Sequence, residues 1–115
     1  MKAAVLLTAV ILAGCTTTQP APSQTYRPRG SDATVQIRGQ VIREDRVLLY
    51  PGWTAQFFIG NQKVIEGELV KYGDGELSGE WNGKPVDALC RGERYPQRVT
   101  CTILIDNERA ATLTF

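Results

Sequence analysis

Residues 75–90 read GELSGEWNGKPVDALC, with Asn82-Gly83 at the centre. A type I′ turn needs positive φ at both central residues, and Asn-Gly is the dipeptide that best accepts it. A two-residue turn pairs Trp81 with Lys84, hence Gly79 with Val86 and Leu77 with Ala88. Leu77 and Trp81 on one strand then share a face with Val86, Ala88 and Cys90 on the other. The apolar residues switch from odd to even numbers across the turn, as this pairing requires. A lone two-stranded hairpin is marginal in water, so the rest of the chain has to supply further strands.

From Ala33 onward the pattern does so. Short β-type runs alternate with turn chemistry, and no helical stripe appears. Turn signals fall at Glu44-Asp45, Pro51-Gly52, Gly60-Asn61-Gln62, Gly73-Asp74-Gly75, Asn82-Gly83, Arg91 to Arg98, and Asp106-Asn107. They predict about eight strands, roughly at 33–43, 46–50, 53–59, 63–72, 76–81, 84–91, 98–105 and 108–115. Parity places Val35, Ile37 and Val41 on the apolar face, with Trp53, Ala55, Phe57, Ile59, Ile65 and Leu69. Val99, Cys101, Ile103, Ile105, Ala111, Leu113 and Phe115 continue it. Residues 47–50 are apolar on both faces, and the flanking turns favour Leu48 and Tyr50 as inward.

The remaining turns should preserve odd-to-odd pairing. A three-residue loop at Gly73-Asp74-Gly75 would set Leu69 opposite Gly79, and one at Gly60-Asn61-Gln62 would set Phe57 opposite Ile65. Ile105-Asp106-Asn107, with Asn107 left-handed, would do the same for the last hairpin.

The expected fold is therefore all-β: a small antiparallel meander of about eight strands curled into a closed or nearly closed barrel, with a β-sandwich as the alternative. Gly39, Gly67 and Gly79 fall at inward positions, where glycine permits tight coiling. Outward positions carry Gln36, Arg38, Gln56, Glu66, Glu68, Ser78, Glu80 and Asp87. A transmembrane barrel would need apolar side chains there. The stretch GELSGEWNGKPV resembles one unit of a MORN repeat, but no second copy follows at a fixed period.

The N-terminus is of another kind. Met1-Lys2 gives a positive start, and Ala3 to Ala13 is an uncharged, mostly apolar run of 11 residues, too short for a membrane span. A positive start, a short apolar stretch and a small-residue exit describe a secretory signal peptide. Leu12-Ala13-Gly14-Cys15 resembles the lipobox of bacterial lipoproteins in all four positions. The resemblance implies cleavage of residues 1–14 and a diacylglycerol and N-acyl chain on Cys15. Thr16, standing where Asp would signal retention, implies sorting to the outer membrane, facing the periplasm; the cell surface is the alternative. Residues 15–32, rich in Thr, Pro, Ser and Gln, read as a lipidated cysteine with a flexible tether. Residues 33–115 form one domain.

Cleavage removes Lys2, leaving 12 of the 13 basic residues against 12 acidic ones. A neutral chain offers no electrostatic case for nucleic acid. With Cys15 lipidated, Cys90 and Cys101 remain, and in an exported protein they read as one disulfide. A turn at Tyr95-Pro96 places them directly opposite one another. Two cysteines with no histidine are a poor metal set, and no cofactor is expected beyond the acyl chains of Cys15.

The absence of histidine removes the commonest general base and the Ser-His and Cys-His arrangements. Glu66 with Glu68 and Glu76 with Glu80 could in principle work as paired carboxylates, but a solvated, charge-punctuated sheet face is the favoured reading. The loop RGERYPQR gathers Arg91, Arg94 and Arg98 around Tyr95, and these four residues are the candidate partner-binding set. The expected function is a non-enzymatic protein-binding or envelope-assembly accessory module, held to the membrane by its lipid and contacting an unidentified envelope protein. The alternative is a hydrolase inhibitor: the expected architecture is similar to that of membrane-bound lysozyme inhibitors. The Ser- and Tyr-bearing loop motif of that family is not found here, and the cysteine placement differs.

Overall fold

A computed structural model describes residues 16–45, 52–94 and 96–115. The expected signal peptide, Cys15, the expected strand at 46–50 and Tyr95 lie outside the described residues.

The protein is all-β, with nine antiparallel strands in two sheets among the described residues. The first sheet holds β1 (Thr16–Pro20), β2 (Gln24–Tyr26), β3 (Val35–Glu44), β4 (Gly52–Ile59) and β5 (Gln62–Leu69). Its order is β1-β3-β4-β5, with β2 pairing β3 beyond β1. The second sheet holds β6 (Gly75–Trp81), β7 (Lys84–Arg94), β8 (Gln97–Ile105) and β9 (Glu108–Thr114), in chain order.

Among the described residues the ladders do not join into one closed ring, which corrects the expectation of a barrel. Between β5 and β6 the one backbone bridge among the described residues joins Val70 with Asp74. The two strands meet at glycines instead. A Cβ on Gly79 would overlap the Val64 carbonyl, and one on Gly67 would stand 2.6 Å from Leu77 Cδ2. Backbone presses on backbone there, so glycine serves close approach rather than ladder curvature. Leu69 accordingly lies against Gly75 and not opposite Gly79.

From Val35 onward the buried apolar residues among the described ones are those parity selects, and Ala21 from the expected tether joins them. Ile37, Val41, Phe57, Val86, Val99, Ile103, Ile105 and Leu113 are all buried, and both sheets contribute to one core. Each such side chain is worth roughly 1.5–3 kcal/mol on burial. Phe57 and Phe115 meet edge to face at 6.3 Å, joining the first sheet to the end of the second.

Asn82 and Gly83 take φ of 49° and 75°, and Gly79 pairs Val86 and Leu77 pairs Ala88, as the sequence predicts. The other turns reach the expected parity by a different route. Asp106 and Asn107 both have positive φ and form a two-residue turn with Ile105 opposite Glu108. A bulge between Ile103 and Leu104 then restores odd-to-odd pairing at Ile103 and Ala111. Gly60-Asn61 is likewise a two-residue turn, with a bulge between Phe57 and Phe58 that keeps Phe57 opposite Ile65.

Within residues 15–32, read from the sequence as a lipidated cysteine and tether, two segments form strands. Thr16–Pro20 pairs with Gln40–Glu44, and Gln24–Tyr26 pairs with Val35–Ile37. The 10-residue β3 offers a long edge of backbone donors and acceptors, and three successive β-branched threonines suit extended backbone. All five β1 residues are exposed, so backbone pairing rather than burial holds the strand.

Candidate functional site

The β7–β8 hairpin outruns its neighbours. On one side β6 begins at Gly75, opposite Cys90. On the other β9 ends with Thr114 opposite Thr100, and Phe115 exchanges backbone hydrogen bonds with Val99. Residues 91–98 therefore extend past the sheet as a two-stranded arm, a form that is marginal without bracing.

Two devices brace it. The Cys90–Cys101 disulfide lies at its base, between directly opposed residues with Cα atoms 4.0 Å apart, as the sequence predicts. The second is a 3₁₀ turn, Lys71–Gly73, where the sequence predicted the end of the strand at 63–72 and a three-residue loop at Gly73-Asp74-Gly75. The Gly92 backbone N–H donates to Asp74 Oδ1 at 2.6 Å. The Gln97 side-chain amide donates to the Tyr72 carbonyl at 3.1 Å. The Arg94 guanidinium sits 4.9 Å from the centre of the Tyr72 ring. Tyr72 takes a φ of 63° to present its carbonyl and ring in this way.

Glycine is required where the turn meets the arm. A Cβ on Gly92 would overlap the Tyr72 carbonyl. Val99, 2% exposed, fills the space on the other side of the turn, beneath Gly73. Tyr72, Asp74, Gly92 and Gln97 are thus the residues that sequence reading missed. The Gly73-Asp74-Gly75 run marked a turn but gave no sign of which strand it would clamp.

The candidate arginines divide by face. Arg91, opposite Thr100, opens onto a shallow dish of about 500 Å³ on the outer side of the second sheet, shared with Glu76, Leu89, Glu93 and Thr102. Arg98 lies opposite Glu93. Arg94 lies on the other face, over Tyr72. All three are exposed. The arm therefore gathers them near its end but aims them on two sides. Tyr95, the fourth candidate, lies outside the described residues.

Glu66, Glu68, Glu76 and Glu80 are all exposed. Glu66 accepts hydrogen bonds from Lys63 and Gln56, and the Lys63 ammonium holds its carboxyl below the usual glutamate range. A general acid needs the opposite shift. Among the described residues no cluster of three or more His, Cys, Asp or Glu could hold a metal ion.

The chain matches no protein-family model, no curated protein and no solved structure. The class the fold and site define is a two-sheet β domain carrying a braced arginine-bearing arm.

Proposed function

We propose that the protein is a lipid-anchored, non-enzymatic binding module of the bacterial outer membrane. It faces the periplasm, is held there by acyl chains on Cys15, and engages an envelope protein through the β7–β8 arm. The two sheets serve as the layers of a sandwich-like scaffold. The lipobox-like Leu12-Ala13-Gly14-Cys15 supports the anchor.

The observation that carries the binding reading is the bracing of the arm. An arm that protrudes from a sheet loses entropy on binding unless it is already ordered, and rigid presentation removes that cost. Here a disulfide, a buried valine, two hydrogen bonds and a cation–π contact fix an arm whose arginines are exposed. Arginine is enriched at binding hot spots because one planar group both stacks and donates.

The projecting arm also favours one alternative, insertion into the cleft of a lysozyme-type hydrolase. The test serves both readings. A photo-crosslinking residue at the exposed Pro96 in the full chain, expressed in a bacterial envelope, should capture one discrete protein. Capture should be lost when Arg91, Arg94 and Arg98 are changed together to Glu. Unchanged capture in that variant, or no protein adduct at all, overturns the arm as the binding element. Inhibition of added lysozyme that depends on the same arginines selects the inhibitor reading.

A further inference from the structure

Strand β1 changes what an anchor at Cys15 would do. Were residues 16–32 a free tether, they would let the domain range up to about 55–60 Å from the lipid. They are not free. Thr16 is paired with Glu44, Glu44 with Gly52, and the adjacent Trp53 with Leu69. Cys15 precedes Thr16 directly in the sequence, so one peptide link joins an anchor there to this row. The acyl chains would leave the domain at this row, with no slack between lipid and fold.

The same row leads to the arm. Leu69 is followed by Val70, the Lys71–Gly73 turn and Asp74, the segment that clamps Gly92 and Gln97. Val70 is 66% exposed, the most exposed large apolar side chain among the described residues. The arm adds Arg91, Arg94 and Arg98 against one acid, Glu93, within residues 91–98. The start of β1, an exposed valine and an excess of arginine thus share one end of the protein. At the opposite end of the first sheet is the Gly60-Asn61 turn, separated by the 8 residues of β4, or about 25 Å.

From this placement we infer that the Val70–arm end of the domain rests against the phospholipid headgroups. The inference builds on the proposed lipidation of Cys15. The bilayer is the occupant that fits: an anchor without slack brings it to this end, Val70 offers an apolar contact, and Arg94, over Tyr72, complements anionic headgroup phosphates, which leaves Arg91 and Arg98 on the other face for a protein. The headgroup layer is about 5–8 Å deep, too shallow to reach Asn61 while Val70 touches it. A protein engaged by the arm would accordingly present its contact surface beside the membrane.

The experiment uses the full lipidated chain in vesicles of phosphatidylethanolamine and phosphatidylglycerol, with no other protein present. A photo-crosslinking residue is placed at Val70, Pro96 or Asn61, all exposed. Lipid adducts should be several-fold more abundant at Val70 and Pro96 than at Asn61. A flexible Gly-Ser segment inserted between Cys15 and Thr16 should abolish that preference. Equal labelling at the three positions, or a preference that survives the insertion, overturns the inference. The mass of the N-terminal peptide separates this failure from failure of the anchor. An unmodified Cys15 overturns both readings, whereas a lipidated Cys15 with equal labelling overturns only the orientation.

Discussion

The Gly92 backbone N–H donates to the Asp74 carboxylate at 2.6 Å, tying the arm of one hairpin to the turn that connects the two sheets. The contact exists because Gly92 has no Cβ; with one, the Tyr72 carbonyl would have to move. Gly92→Ala should therefore act as an overpacking change and cost about 1–3 kcal/mol. Asp74→Ala removes only the acceptor and should cost about 1 kcal/mol. Urea unfolding midpoints of the two variants check the order. Amide exchange at residues 91–98 should rise in both. A Gly92→Ala protein as stable as the parent would mean that the turn does not clamp the arm.

The disulfide should matter for the same reason. Cys90 and Cys101 are 11 residues apart and close the base of the arm. A loop of that length constrains the unfolded chain by about 2–3 kcal/mol. The double change to Ser should lower stability by that amount. It should also open the arm to trypsin at Arg91, Arg94 and Arg98 before the rest of the domain is cut. Simultaneous cleavage throughout the domain would show that the arm does not loosen as a separate unit.

Which parts of this were legible in the sequence follows from the range of the forces involved. The Asn82-Gly83 hairpin and its register are set by neighbours in sequence, and Gly79 opposite Val86 was readable from two residues of turn. Inward positions were readable because a period of two admits only one apolar face. The bulges at Phe57/Phe58 and Ile103/Leu104 were not, since a bulge plus a two-residue turn gives the same parity as a three-residue loop. Closure of the ring was misread because it depends on how close Gly79 comes to Val64, a tertiary distance. The docking of Thr16–Pro20 was hidden by its tether-like composition; the cause is a free edge on β3, about 20 residues further on. Arg91, Arg94 and Arg98 were visible as a cluster, but their bracing by Tyr72 and Asp74 was not.

Glu66 provides a pH prediction. The hydrogen bond and charge of Lys63, then the hydrogen bond from Gln56, hold its carboxyl below the usual range. A depressed folded-state pKa stabilises the fold above the unfolded pKa, and the contribution is lost as pH falls through the folded one. Glu66→Gln should thus be less stable than the parent at neutral pH. The gap should close as pH drops below the ordinary glutamate value of about 4.3. Glu66 is exposed, so the effect should be small and should shrink further in high salt. Parallel denaturation series across pH measure it. A gap that widens on acidification would contradict the assigned direction.

The last prediction concerns the seam opposite the glycine contact. Gln24 on β2 reaches the backbone of Thr112 on β9: its amide nitrogen donates to the Thr112 carbonyl, and its oxygen accepts from the Thr112 N–H at 3.0 Å. One side chain thereby satisfies both backbone groups of an edge residue, as a neighbouring strand would. Gln24→Ala should cost about 1–2 kcal/mol and leave a free edge that favours self-association. Gln24→Glu keeps the shape but loses the donor and sets a carboxylate against a carbonyl, so it should be the worse of the two at neutral pH. Protonation restores a donor, so the folded pKa of that carboxyl would be raised and its deficit should narrow on acidification. Thermal melts of the parent and both variants at neutral and acid pH decide this. If Gln24→Glu matched the parent at neutral pH, the amide would not be the link that holds β9 to the first sheet.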